Sequence, residues 1–150
     1  MNHRGTLQHS SDADFELVRQ GRFAEAKPGL LRLVSRRPDD HEARLALAEC
    51  FFWTGQASTA VFHLDQIVRV TGLREDLFSI ACDLLTKSGA SIRAVELLEA
   101  RRRKEPGAVH VRMSLCSLYM TLSKLDEASV VLAEAERIFP DLPQVLRLRG

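Results

Sequence analysis

Four carboxylates, Glu42, Glu49, Asp76 and Asp83, form two pairs, each seven residues apart, in stretches of helical periodicity. That spacing puts each pair on one helix face. Paired carboxylates can hold a metal ion or act as acid and base at a glycosidic bond. Neither use is supported here, because no histidine or cysteine stands near them at ligand spacing and no glycine-rich phosphate loop is present. The five histidines, His3, His9, His41, His63 and His110, form no HExxH-like pair, and no Ser/His/Asp set can be picked out. Three cysteines, Cys50, Cys82 and Cys116, cannot all pair, and none lies in a CxxC, so they read as small, buried packing residues. What remains is binding. The acids are either a solvated face or a surface for a basic or amphipathic segment. Beside them run Phe51, Phe52 and Trp53, and one helix cannot bury three consecutive large aromatics on one side. Trp53 either packs between neighbouring elements or meets a ligand.

The elements that must position these residues are announced by a period. Ala26, Ala60, Ala94 and Ala128 stand 34 residues apart, each followed four residues later by Leu30, Leu64, Leu98 or Leu132. Gly21, Gly55 and Gly89 precede three of the alanines by five residues, with Ser123 in the fourth place. Pro38, Gly72, Pro106 and Pro140 follow by twelve. A fixed period of this length means stacked copies of one supersecondary unit. Apolar residues between the punctuation recur at helical spacing, and the glycines supply the positive φ of a tight helix turn. The expected helices are 12–20, 23–36, 40–54, 57–70, 74–88, 91–104, 108–122, 125–138 and 142–149. Asp40 and Asp39 are good N-caps after Pro38, as is Asp141 after Pro140. Pro28 conflicts with its helix, which must either kink or begin its regular part there. Residues 1–9 read as a loose tail and 10–150 as a single domain. Its units lie at about 7–40, 41–74, 75–108 and 109–142, with a partial capping helix over 142–150.

The bulk numbers fit a globular chain: 150 residues, 45% hydrophobic and 27% charged, with 21 basic against 20 acidic side chains. No basic surplus draws it to nucleic acid or to an acidic membrane. The start lacks an apolar signal core and no stretch approaches the roughly 18 apolar residues of a membrane span, so the expected address is the cytoplasm. The run Arg101-Arg102-Arg103-Lys104 closes a helix, where cations complement the dipole, as Arg36-Arg37 and Arg137 do elsewhere.

The pattern resembles the tetratricopeptide repeat. Leu115, Cys116, Tyr119, Ala128, Leu132 and Pro140 match in the fourth unit. Phe78, Ala81, Cys82, Leu85, Ala94, Leu98 and Pro106 match in the third, and Leu47, Ala48, Phe51, Ala60 and Leu64 in the second. The first is weaker, with Asp14 in the small-residue place. The aromatic that opens the family pattern is replaced by Ser10, Arg44 and Arg112 in three units. The resemblance implies an all-α, right-handed solenoid of helix-turn-helix units whose first helices line a concave groove. That groove side holds Gln8, Ser11, Phe15 and Val18, then Glu42, Leu45, Glu49 and Phe52. It continues with Asp76, Ser79, Asp83 and Thr86, then His110, Met113, Ser117 and Met120. Members that grip acidic chaperone tails do so through Lys, Arg and Asn, and here those places hold acids, Ser, Leu and Phe.

The expectation is therefore a non-catalytic interaction scaffold without cofactor or metal, not an enzyme. Its groove would take a peptide or helix of a partner protein through Glu42, Leu45, Glu49, Phe52, Trp53, Asp76, Asp83, Met113 and Met120. Two rivals are the N-terminal repeat domain of a larger enzyme of the sulfotransferase or glycosyltransferase type, and a small secretion-system chaperone. Leu142, Val145, Leu146 and Leu148 would be uncovered in a capping helix that stops short. From that we expect a fragment of a longer chain that pairs with a second copy.

Overall fold

The structure, a computed structural model, describes residues 12–70, 73–141 and 143. The expected tail 1–9, the positions Gln8, Ser11 and Gly72, and all of the closing segment 142–150 except residue 143 lie outside the described residues, as does the pairing surface placed on that segment. Eight helices make up the described part, with no strand among them. They are α1 (12–19), α2 (Phe23–Arg36), α3 (His41–Trp53) and α4 (Ala57–Val68), then α5 (Glu75–Lys87), α6 (Ser91–Lys104), α7 (Val109–Thr121) and α8 (Leu125–Ile138). Each boundary lies within two residues of its expected place. The chain divides into two compact units, one ending at Ala90 and one beginning at Ser91.

The periodic residues do what their types suggest. Ala26, Ala60 and Ala94 are fully buried and Ala128 nearly so, because the helices cross where only a methyl group fits. Leu30, Leu64 and Leu98 are buried four residues on, whereas Leu132 is only partly buried. In the first unit α3 packs against α2, α4 and α5, and in the second α7 packs against α6 and α8. The core around α2 and α3 is built from Ala26, Leu30, Val34, Ala43, Leu47, Cys50 and Phe51, with Phe15, Val18, Phe23 and Phe52 packed on it. The three cysteines are buried and form no disulfide among the described residues, and burial pushes the Cys50 thiol up to about 11.

The turns repeat as closely as the helices. Gly21, Gly55 and Gly89 have φ of 76°, 82° and 88°. Each donates its N–H to the carbonyl three residues back, while the next residue reaches five back, as Gln56 does to Phe51 at 2.8 Å. That pair of bonds is the Schellman ending, which closes a helix through one left-handed residue. Ser123 makes the same two-bond turn, Ser123 to Met120 and Lys124 to Tyr119, at φ 59°. A serine there carries the left-handed penalty that glycine escapes. Ser123→Gly should therefore raise stability by about 1 kcal/mol, read as a thermal midpoint about 2–4 °C higher. A lower midpoint would refute this account of the turn.

Two local features of the early helices follow from sequence. Asp40 caps α3, its carboxylate accepting from Ala43 N–H at 3.0 Å. Pro28 sits inside α2, which begins five residues before it, so the helix starts at Phe23 rather than at the proline. Asp14, in the place where later units carry Ala48, Cys82 and Cys116, faces Gly29, and a Cβ on that glycine would overlap the carboxylate. One period later the two places hold Ala48 and His63. A large residue at one place is thus matched by a small one at the other. Burial raises the Asp14 carboxyl above its ordinary range, with Arg32 opposing.

Candidate partner-binding face

In the first unit the expected face is carried by α3 and α5. Glu42 and Trp53 of α3 are exposed, Glu49 and Phe52 are half-buried, and Asp76 and Asp83 of α5 are exposed. Leu45 departs from the expectation: it is 6% exposed and belongs to the core. The i, i+3, i+7 series places it on the same side as Glu42 and Glu49, but α3 is packed by α2, α4 and α5, so its apolar arc is wider than one stripe.

The aromatics are ordered around Trp53. Its ring stacks on Phe23 of α2 at 5.8 Å and 14°, and Phe52 meets it edge-on at 5.0 Å. Trp53 nonetheless stays 57% exposed. Phe51 turns the other way into the core, stacks on His63 at 5.4 Å, and carries the Lys27 ammonium 5.3 Å from its ring centre. Of the two alternatives for Trp53, packing on a neighbouring helix is met on one side of the ring, and the rest is open to solvent. Burial lowers the His63 pKa, and the nearby Arg44 lowers it further.

The electrostatics differ from a bare acidic stripe. Arg74 donates to both oxygens of Asp76, at 3.0 and 2.7 Å, and lies 4.0 Å from Glu42. Those hydrogen bonds hold the Asp76 carboxyl below the ordinary range. Asp83 pairs with Lys87 one turn along α5 at 3.0 Å. Such exposed pairs add little stability, but they offset the field of three of the four acids. Glu49 makes no hydrogen bond or ion pair among the described residues, and burial lifts its carboxyl above the ordinary range, with Lys87 opposing. Sequence reasoning overlooked Arg74, which precedes α5. The Asp83–Lys87 pair was legible as an i, i+4 spacing.

In the second unit Met113 is half-buried and Met120 is 49% exposed on α7. The basic run ending α6 is split. Arg101 pairs with Glu105 and Arg102 with Glu99 and Glu134, while Arg103 and Lys104 point to solvent. Among the described residues, no three side chains of His, Cys, Asp or Glu form a group able to hold a metal ion, and no helix is long and apolar enough to cross a membrane.

Comparison with known proteins agrees with the helix pattern. A family profile described as tetratricopeptide repeat matches residues 17–75. No curated protein matches the chain by sequence. Among solved structures, a putative kinesin light chain of Podosopora anserina with nearly identical TPR-like repeats is similar at 20% identity and TM-score 0.69, covering 99% of this chain and 84% of its own. YrrB, described as a TPR protein with an unusual peptide-binding site, is similar at 16% identity and TM-score 0.68, with 98% and 76% covered. MamA is similar at 15% identity and TM-score 0.64, with 90% and 79% covered. At these identities the likeness is one of fold.

Proposed function

We propose that the chain is a tetratricopeptide-repeat protein and, from that premise, that it is a binding scaffold. Its face on α3 and α5 takes a peptide or helix of a partner protein. The observation that carries this reading is Trp53, a large aromatic more than half exposed yet held in place by Phe23 and Phe52. An exposed indole that is already immobilised loses little rotamer freedom on binding, which is what a contact residue at an interface requires. The peptide-binding description of YrrB supports a partner of this kind. Glu42, Glu49, Asp76 and Asp83 favour a segment with Lys or Arg flanking large apolar residues.

The test uses a partner captured from the native cell and then purified. Glu42→Lys/Asp83→Lys should slow association about tenfold at low salt, with the difference fading as salt rises. Trp53→Ala should act mainly through faster dissociation. The control is Arg103→Glu/Lys104→Glu, both exposed ends of the basic run; Arg102 is unsuited because it is tied to Glu99 and Glu134. Loss of binding in the control alone would move the site to that helix end and end the reading proposed here.

A further inference from the structure

Beside Trp53 lies an open notch of about 410 Å³, lined by Val18, Arg19, Gly21, Phe23, Glu49 and Trp53. Glu49 and Trp53 are four residues apart on α3, so they stand one above the other on one helix face. Phe23 stacks on one face of the indole and Phe52 meets the ring at a steep angle, 73°, while the indole as a whole stays 57% exposed. Arg19, the cation on the rim, is engaged by Glu16 at 2.9 Å. Lys87, the charge acting on Glu49 from α5, is engaged by Asp83 at 3.0 Å. Glu42, Asp76 and Asp83 each have a cation within 4.0 Å, whereas Glu49, the most buried of the four acids, has none among the described residues.

A carboxylate half removed from water and left without a counter-ion is an unfavourable arrangement for a folded chain. It becomes favourable when a cation arrives from outside. The neighbouring indole presents a π-face, the other group that attracts a cation, and does so without having to be ordered first. We propose that this notch takes one lysine or arginine side chain of the partner segment, the cation lying between the open face of the Trp53 indole and the Glu49 carboxylate. The proposal deepens the scaffold reading and rests on it. It adds the position at which the basic residue of the bound segment sits.

Trp53 is the sole tryptophan of the chain, so the protein shows a single indole N–H signal. The experiment titrates the full chain with N-acetyl-arginine N-methylamide at neutral pH, following that signal by NMR, with N-acetyl-glutamine N-methylamide as the uncharged probe. We expect a saturable shift with the arginine probe at millimolar concentrations and none with the glutamine probe. Glu49→Gln should weaken the arginine probe about fivefold or more, and Glu42→Gln should leave it unchanged. Trp53→Leu, followed at the Val18 methyl groups, should abolish saturation and serves if Glu49→Gln does not fold. A linear shift, an equal response to glutamine, or an unchanged affinity in Glu49→Gln would overturn the notch. None of these results bears on the charge-reversal experiment at Glu42 and Asp83, whose failure overturns the groove itself while leaving the indole titration to report separately.

Discussion

Arg112→Ala should destabilise the protein by about 3–5 kcal/mol, the range seen when one partner of a buried ion pair is removed. Arg112 is 2% exposed in α7. One arm of its guanidinium donates to the Pro106 carbonyl at 2.5 Å, and another reaches Glu134 of α8 at 3.4 Å. Glu134 is held in turn by Arg102 at 2.6 Å, Arg102 by Glu99 at 2.7 Å, and Glu99 accepts from the Tyr119 hydroxyl at 2.6 Å. Burial and that bond to Glu99 push the Tyr119 phenol up to about 12. The network ties α6, α7 and α8 together, and truncating Arg112 removes its charge, its packing stem and the partner of a carbonyl in one step. Arg112→Met keeps the stem and should cost clearly less than Arg112→Ala. Chemical denaturation of the three proteins checks the order. If Arg112→Ala unfolds at the same denaturant concentration as the parent, the network contributes nothing to stability.

The second large effect is expected at a leucine that two of the four repeats carry in their first helix. Leu47 and Leu115 stand two periods apart, and both are fully buried. Leu47 lies within the cluster that joins α2 and α3. Replacing either by alanine removes apolar area and leaves a cavity that close-packed neighbours fill only in part, a cost of about 2–5 kcal/mol. Ile92, 76% exposed, is the contrast, and Ile92→Ser should fall within about 0.5 kcal/mol of the parent. The measurement is again the unfolding midpoint at constant slope. Equal midpoints for Leu47→Ala and Ile92→Ser would show that the 34-residue register does not place the core.

The arginines at 44 and 112 show why one part of this architecture could not be read in advance. In the family pattern their place holds an aromatic, and from sequence they look like gaps. In the structure each reaches from the first helix of its unit to a residue 22 positions on: Arg44 to Gln66 at 2.8 Å and Arg112 to Glu134 at 3.4 Å. Where Phe78 keeps the aromatic, it is 2% exposed, and the residue 22 positions on is Ala100. A long aliphatic stem with a hydrogen-bonding head thus fills the space of a ring, provided the facing helix supplies an acceptor. The compensation spans two helices, so it is invisible to any pattern read along one.

The same division holds for the candidate site. Helix positions, the turns at Gly21, Gly55 and Gly89, the cap at Asp40 and the buried alanines were all legible, because each depends on spacing within one or two turns of chain. The face carrying Glu42, Glu49, Asp76 and Asp83 was legible for the same reason. Which acids are already engaged was not, since Arg74 comes from a loop and contacts both helices' acids through space. Nor was the fate of the Phe51-Phe52-Trp53 run, where His63 and Phe23, from two other helices, decide which ring is covered. Periodicity reports the side of a helix a residue lies on. Only the packed neighbours decide whether that side is core, ion pair or open surface, because burial and charge pairing are sums over everything nearby rather than over the residues adjacent in sequence.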